Sequence, residues 1–153
     1  MTILEEGQKA PNFVGKNQLG QTLSLDQFKG KTLILYFYPK DNTPGCTSEA
    51  CNLRDNYRQL LSKGFEVVGV SPDSEKSHQG FIEKQKLPFH LIADVDKTIL
   101  KAYGAWGMKK MYGKEYEGVL RTTFVIDGNG MIAKIITKVD TKNPTEQILK
   151  ALS

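Results

Sequence analysis

The 153-residue sequence predicts an α/β fold in which a central mixed β-sheet is flanked by helices. The continuous apolar run at residues 32–38 and the Val-rich segment at 65–71 are each followed by a segment with apolar side chains at helical spacing. This alternation is typical of parallel strands joined by crossover helices. Two later apolar stretches flank an Asp-Gly-Asn-Gly turn at 127–130, which predicts a hairpin and therefore antiparallel strands in the same sheet.

The N-terminal part is predicted to form a β-hairpin followed by the first central strand. Short apolar stretches within residues 12–24 surround a Leu-Gly-Gln turn, which indicates the hairpin, and residues 25–28 favour a helical turn. The run at 32–38 ends at Pro39, the pattern of a strand that is covered on both faces.

The next segment predicts one helix over residues 46–63, which carries both cysteines. Its apolar residues recur at helical spacing, and Gly64 is a natural stop. The remaining predicted elements are a strand at 65–71, a helix at 74–86, a strand at 90–93, a helix at 97–103, a hairpin of 122–126 with 131–136, and a last helix that begins at Asn143-Pro144. Because no linker, repeat or compositional break interrupts them, we expect residues 1–153 to form one domain.

Composition excludes several classes of function. The net charge of +4 is distributed with alternating sign, and the basic run at 108–114 is followed at once by Glu115 and Glu117, so we expect no nucleic-acid partner. No apolar run approaches the ~20 residues that a membrane helix needs, so we expect no membrane partner. Residues 1–6 lack the basic and apolar segments of a secretory signal, which predicts a cytosolic protein.

Cys46 and Cys51 are the only cysteines, and in a reducing compartment such a close pair is more often catalytic, redox-sensing or metal-binding than structural. Cys46 follows the carboxyl end of a central strand and stands at a predicted helix start. The unpaired backbone N–H groups and the positive end of the helix dipole favour a thiolate there. The sequence therefore predicts that Cys46 is a nucleophile.

Reduction of a peroxide by this thiolate requires a hydrogen-bond donor that orients the oxygen under attack and a group that stabilises the charge developing on the departing oxygen. Thr43 can supply a hydroxyl, and Gly45 permits close approach of a substrate to the backbone. A guanidinium is the natural cation, and Arg54 and Arg121 are both candidates. Spacing in the sequence does not choose between them.

Attack on a peroxide converts the thiolate to a sulfenic acid, which Cys51 can condense with to form a disulfide. Residues five apart in an intact helix have Cα atoms about 8.7 Å apart, beyond the ~7 Å limit for a disulfide. We therefore expect the first helical turns to unwind in each catalytic cycle.

The pattern Pro39-x-x-x-Thr43-x-x-Cys46 resembles the peroxiredoxin signature. The stretch from Thr43 to Cys51, followed by Arg54-Asp55, is similar to the bacterioferritin comigratory protein, or Q-type, branch of that family. The similarity continues through most of the chain, in the segments Ala10–Phe13, Val70–Asp73, Tyr103–Gly107, Met111–Gly113 and Arg121–Asp127.

This resemblance implies a thioredoxin-like fold with an N-terminal β-hairpin extension, and no cofactor. It implies hydrogen peroxide and organic hydroperoxides as substrates, and recycling by thioredoxin or a similar dithiol reductant. It selects Arg121 as the catalytic arginine, gives Pro39 a role in shielding the thiolate, and has Glu49 orient polar groups nearby. Because no cysteine lies near the C-terminus for an intersubunit disulfide, we expect a monomer with an intramolecular bond.

Other interpretations of the two cysteines are a buried structural pair, a zinc site with His78 and His90, and a cysteine phosphatase. Zinc is disfavoured by the cysteine spacing, and the phosphatase by the position of Arg54. Both histidines lack evident partners in the sequence and are predicted to be ordinary residues. The nearer alternatives are a thioredoxin-type thiol-disulfide oxidoreductase and a non-enzymatic peroxide sensor, which peroxide turnover distinguishes from a peroxidase.

Overall fold

The computed structural model describes residues 4–153; residues 1–3, part of the segment in which the sequence predicts no secretory signal, lie outside the described residues. The strands are β1 (Val14–Lys16), β2 (Thr22–Ser24), β3 (Thr32–Phe37), β4 (Phe65–Ser71), β5 (His90–Ala93), β6 (Trp106–Met111), β7 (Lys114–Val119), β8 (Thr122–Ile126) and β9 (Ile132–Ile136). The α-helices are α1 (Pro44–Asp55), α2 (Tyr57–Ser62), α3 (Glu75–Gln85), α4 (Thr98–Ala102) and α5 (Pro144–Leu152), and Leu25–Phe28 form a 3-10 helix.

The predicted α/β architecture is confirmed. The central sheet has the order β5-β4-β3-β8-β9, with β3 parallel to β4 and β4 parallel to β5. β8 pairs antiparallel with both β3 and β9, so the sheet is mixed. The N-terminal hairpin is also confirmed, because β1 and β2 pair antiparallel outside the central sheet.

Strand β3 lies at the centre and is buried on both faces, as its apolar run predicts. Leu33, Leu35 and Phe37 pack into one hydrophobic cluster together with the N-terminal segment and α4. The alternate residues Ile34 and Tyr36 pack into a second cluster, which receives α1, α2, α3 and α5. The period of two along a strand thus gives both layers of helices an apolar surface to cover.

The predicted single helix over 46–63 is wrong, because the segment forms α1 and α2 with a break at Asn56. The side-chain amide of Asn56 donates a hydrogen bond to the Asn52 carbonyl oxygen at 2.8 Å, and such local bonds compete with the helical pattern. The helix also begins earlier than predicted, with Pro44 at its first position. Cys46 is therefore in the first turn rather than at the first residue.

The sequence does not predict the hairpin of β6 and β7, where it indicates only a basic run and the acidic residues after it. The turn of this hairpin uses Tyr112 and Gly113, both at positive φ (52° and 78°), a conformation that hairpin turns favour. β7 is largely exposed, so its sequence lacks the alternation of apolar and polar residues that identifies a half-buried strand. Among the described residues, no helix is long and apolar enough to cross a membrane.

Candidate active site

The candidate site lies at the carboxyl end of β3, where the chain turns through residues 38–43 into α1. Cys46 is almost fully buried in the first turn of α1. The antiparallel pairing of β3 and β8 sets Phe37 opposite Thr122, so Arg121, the residue before β8, lies at the same edge of the sheet. Sheet register therefore brings together two residues that are 75 positions apart in the sequence.

The Arg121 guanidinium bridges Cys46 and Glu49. One terminal nitrogen donates a hydrogen bond to the Cys46 Sγ at 3.3 Å, and the other donates to the Glu49 Oε1 at 2.7 Å. Glu49 lies one turn after Cys46 on α1 and is only 1% exposed. A cation in direct contact with the sulfur stabilises negative charge there, which is what a nucleophilic cysteine requires.

Arg54, the other candidate cation, is directed elsewhere. Its Nε donates to the Asp55 Oδ1 at 2.9 Å, and a terminal nitrogen donates to the Gln85 carbonyl oxygen at 2.7 Å. The structure thus places Arg121, and not Arg54, at the sulfur.

Burial gives the carboxylate of this bridge unusual electrostatics. Desolvation raises the pKa of Glu49 to about 7. The charge of the neighbouring Arg121 guanidinium and its hydrogen bond act in the opposite direction but are the smaller effects. Burial also lowers the pKa of Arg121, but the neighbouring Cys46 and Glu49 outweigh this effect and the net shift is upward. Arg121 therefore keeps its positive charge, whereas the charge on Glu49 changes close to neutral pH.

The other predicted site residues surround Cys46 along the chain. Pro39 is half-buried after β3, and the Thr43 hydroxyl donates a hydrogen bond to the Lys40 carbonyl oxygen at 2.8 Å. With its hydrogen engaged, this hydroxyl has lone pairs available to accept from a peroxide O–H, rather than donating as expected. A Cβ added to Gly45 would lie 3.4 Å from a terminal nitrogen of Arg121, an ordinary van der Waals distance, so Gly45 lies directly beside the guanidinium.

Cys51 is half-buried on α1, and its Sγ donates to the Gln85 Oε1 at 3.4 Å. Both cysteines are free thiols, and α1 is continuous between them. In this state helical geometry keeps the two residues apart, as the sequence predicts.

Both histidines have hydrogen-bond partners in the structure that the sequence does not reveal. His78 is fully buried; its Nδ1 lies 2.8 Å from the Asp41 Oδ2 and its Nε2 lies 2.9 Å from the Ile92 carbonyl oxygen. His90 is exposed, with its Nδ1 3.0 Å from the Gln18 Nε2. The partners of His78 are 37 and 14 residues away, so no local sequence signal could have indicated them.

Asp41, Asp73 and His78 bring ligand-type atoms within 4.8 Å of one another. Both ring nitrogens of His78 face protein oxygens, and both carboxylates accept hydrogen bonds from protein groups. The chemistry of this donor set is that of a hydrogen-bond network rather than a metal centre.

Comparison with known proteins agrees with this geometry. Residues 6–135 match the model of the AhpC/TSA family. The chain is 48% identical over 149 residues to a putative peroxiredoxin bcp of Coxiella burnetii, covering 97% of this chain and 99% of that protein. It is 45% identical over 152 residues to the peroxiredoxin Bcp of Bacillus subtilis, covering 99% and 96%.

Among solved structures, the chain superimposes on the Xanthomonas campestris bacterioferritin comigratory protein, whose structures were described together with its alkyl peroxide reduction activity. The TM-score is 0.85 at 34% identity, over 92% of this chain and 89% of that one. With its thioredoxin-like fold, the chain belongs to the AhpC/TSA family. It is a peroxiredoxin, a thiol-dependent peroxidase that acts on peroxides and is recycled by a thiol reductant.

Proposed function

We propose that this peroxiredoxin reduces hydrogen peroxide and organic hydroperoxides with Cys46 as the nucleophile and Cys51 as the resolving thiol, and that thioredoxin or a similar dithiol recycles it. The observation that carries the proposal is the contact of the Arg121 guanidinium with the buried Cys46 Sγ at a helix start. Arg121 is the cation that the first step needs, and it holds that position through its ion pair with Glu49.

In the first step the Cys46 thiolate attacks one peroxide oxygen. The S–O bond forms as the O–O bond breaks, and the departing alkoxide or hydroxide takes a proton to leave as alcohol or water. Arg121 stabilises the negative charge that moves from sulfur to the departing oxygen. Thr43 accepts a hydrogen bond from the peroxide O–H, Gly45 permits close approach of the peroxide to the backbone, and Pro39 shields the sulfur from solvent.

In the second step Cys51 attacks the sulfenic acid sulfur of Cys46. The S–S bond forms, the S–O bond breaks, and the oxygen leaves as water. Because both residues lie on one continuous helix, the first turns of α1 unwind before the sulfurs meet. Unwinding exposes the disulfide to a dithiol reductant, which reduces it by exchange.

A relative supports the inclusion of organic hydroperoxides among the proposed substrates, since alkyl peroxide reduction is described for the X. campestris protein. We further propose a single-domain monomer that works in the cytosol. An intramolecular disulfide needs no second subunit, and a free thiol pair suits a reducing compartment.

The test is a coupled assay in which thioredoxin and its reductase recycle the enzyme, with hydrogen peroxide or cumene hydroperoxide as the substrate. Wild type should turn over both peroxides, and Cys51→Ser should undergo one oxidation and then stop. Sustained wild-type turnover by Cys51→Ser would exclude Cys51 as the resolving thiol. Peroxide-dependent disulfide formation without turnover would favour a sensor.

A further inference from the structure

The loop that precedes the cysteine helix is held by a buried carboxylate, that of Asp41, which is 4% exposed. Its Oδ1 accepts a hydrogen bond from the Tyr38 hydroxyl at 2.6 Å. Its Oδ2 accepts from the Ser77 hydroxyl at 2.8 Å and bonds to the His78 Nδ1 at 2.8 Å. The Asp41 backbone N–H donates to the Asp73 Oδ2 at 2.8 Å. We call these five residues the Asp41 network.

The bond between Asp41 and His78 is buried and joins two side chains that are each held by further hydrogen bonds. The Nε2 of His78 faces the Ile92 carbonyl oxygen, which can only accept, so this nitrogen carries a hydrogen. The Nδ1 faces the Asp41 Oδ2 at 2.8 Å, and a hydrogen between these two atoms completes the bond. Both side chains are removed from solvent, where the loss of a hydrogen-bond partner costs more than it does at the surface.

The Asp41 network contacts the loop on the β4 side of β3, whereas Arg121 lies on the β8 side. Ser77 and His78 lie in the first turn of α3, and Asp73 follows β4, on one side of β3. Arg121 precedes β8, which lies on the other side of β3. The loop that carries Thr43 toward Cys46 is thus held from one side by Asp41, and the Cys46 sulfur is contacted from the other by Arg121.

The loop also contains an uncommon backbone conformation. Asn42, the residue after Asp41, has a φ of 64°, in the left-handed region, which asparagine adopts more readily than most other non-glycine residues. Such conformations persist where surrounding contacts fix them. Two residues later α1 begins, so the conformation at Asp41 and Asn42 sets the direction in which α1 leaves the sheet.

We propose that Asp41 and His78 are positioning residues for the two chemical steps. This inference rests on the proposed function. Their hydrogen bond stabilises the folded loop relative to the unwound state. In the folded loop Thr43 and Cys46 contact the peroxide, and in the unwound state Cys51 reaches the sulfenic acid. Weakening the Asp41 network therefore slows the oxidation of Cys46 and accelerates formation of the disulfide.

The opposite sign of the two effects separates positioning from general destabilisation. Asp41→Asn keeps the volume of the side chain but replaces one acceptor oxygen by an amide N–H₂ group. That group then faces a hydrogen-bond donor of Tyr38, Ser77 or His78 instead of accepting from it. Ser77→Ala removes one of the three side-chain hydrogen bonds to the Asp41 carboxyl group and is the milder variant if Asp41→Asn does not fold. The matched control is Asp94→Asn, since Asp94 is also a buried carboxylate, whose bonds go to the backbone N–H groups of Ile99 and Leu100 in α4.

The experiment mixes each reduced protein with hydrogen peroxide, quenches with acid at successive times and uses intact mass to count thiol, sulfenic acid and disulfide. In Asp41→Asn we expect oxidation to be slower by about tenfold or more and disulfide formation faster by a comparable factor. Ser77→Ala should show the same directions at about threefold, because the other two side-chain hydrogen bonds to Asp41 remain. Asp94→Asn should leave the ratio of the two rates unchanged.

Unchanged rates in Asp41→Asn and Ser77→Ala, or two rates that fall together as in a general loss of stability, would overturn the proposal. If wild type itself reacts no faster than a free thiol, the proposed function fails and the anchor is tested separately, by amide hydrogen exchange in the reduced proteins. Asp41→Asn should then accelerate exchange over residues 41–51, and equal exchange in Asp41→Asn and Asp94→Asn would reject the anchor.

Discussion

At the Cys46 sulfur one guanidinium serves two partners. Its planar group offers several N–H donors, so Arg121 contacts the sulfur and the Glu49 carboxylate at the same time. A lysine has a single charged nitrogen on a flexible stem and would not maintain both contacts. The ion pair with Glu49 holds the guanidinium at the position where negative charge develops.

Replacing Arg121 by alanine should slow the oxidation of Cys46 by roughly 10²-fold, the typical effect of losing one electrostatic donor at a transition state. The matched control is Arg54→Ala, which removes an arginine of α1 that bonds to Asp55 and Gln85 instead. Its oxidation rate should stay within about twofold of wild type. Stopped-flow oxidation rates measure both, and the reverse order of effects would assign the role to Arg54.

Glu49 predicts a pH dependence of stability. Its pKa is raised from 4.5 to about 7 by burial, so the folded state binds a proton more tightly than the unfolded state does. The free energy of unfolding should therefore fall as the pH rises from about 4.5 to 7, by up to about 3 kcal/mol. Glu49→Gln retains an oxygen that can accept from Arg121 and should remove this component. Urea unfolding at successive pH values tests the prediction, and identical slopes for the two proteins would contradict it.

At the scale of elements, α1 must be both ordered and easy to open. Cys46, Glu49, Ala50 and Leu53 are its buried residues, and its exposed side is tethered by the Ser48 hydroxyl, which donates to the Thr141 carbonyl oxygen at 3.0 Å. The break at Asn56 separates α1 from α2, so its first turns can unwind without disturbing α2.

Amide hydrogen exchange should detect this unwinding. We expect residues 46–51 to lose protection when wild type is oxidised to the disulfide, because the intact helix cannot join the two sulfurs. Residues 57–62, which form α2, should keep their protection and serve as the internal reference. Cys51→Ser treated with peroxide should retain helical protection in both segments. Equal protection of 46–51 in reduced and oxidised wild type would contradict local unwinding.

The elements also show what the sequence could predict. The segments at 32–38 and 65–71 identify buried strands because their apolar residues fall on both faces of the strand. The hairpin of β6 and β7 could not be recognised, since its exposed strands lack a hydrophobic period. The break at Asn56 could not be predicted because apolar spacing continues across it, whereas the break is a local change of backbone conformation at this one residue (φ −108°, ψ 7°).

At the scale of the whole molecule, the sheet joins residues that the sequence cannot connect. Cys46, Thr43 and Pro39 could be predicted because they share one short motif. The choice of Arg121 over Arg54 came from a family resemblance, since only the antiparallel pairing of β3 and β8 brings Arg121 to the sulfur. The Asp41 network was not foreseen because its partners come from different elements of the sheet and helices.

Gly69 tests how tightly the second face of the sheet is packed. A Cβ added there would lie 2.7 Å from the Leu91 Cδ2 and 2.8 Å from the Tyr36 Cζ, closer than carbon atoms tolerate. Gly69→Ala should lower the free energy of unfolding by about 1–3 kcal/mol. The control is Gly80→Ala on the exposed face of α3, where no atom lies within 4 Å of the added Cβ. That change should raise stability by about 0.5–1 kcal/mol. Denaturant unfolding that ranks the two variants equally would contradict the packing.

The proposed cycle requires that Cys46 attacks peroxide and that Cys51 resolves the product. A rapid-quench experiment tests both steps: reduced protein is mixed with one equivalent of hydrogen peroxide and free thiols are counted by mass spectrometry, with Cys46→Ser as the control. We expect oxidation far faster than that of a free cysteine, with both thiols converted to one disulfide between Cys46 and Cys51. Oxidation at the rate of a free cysteine, or equally fast oxidation of Cys46→Ser, would contradict it.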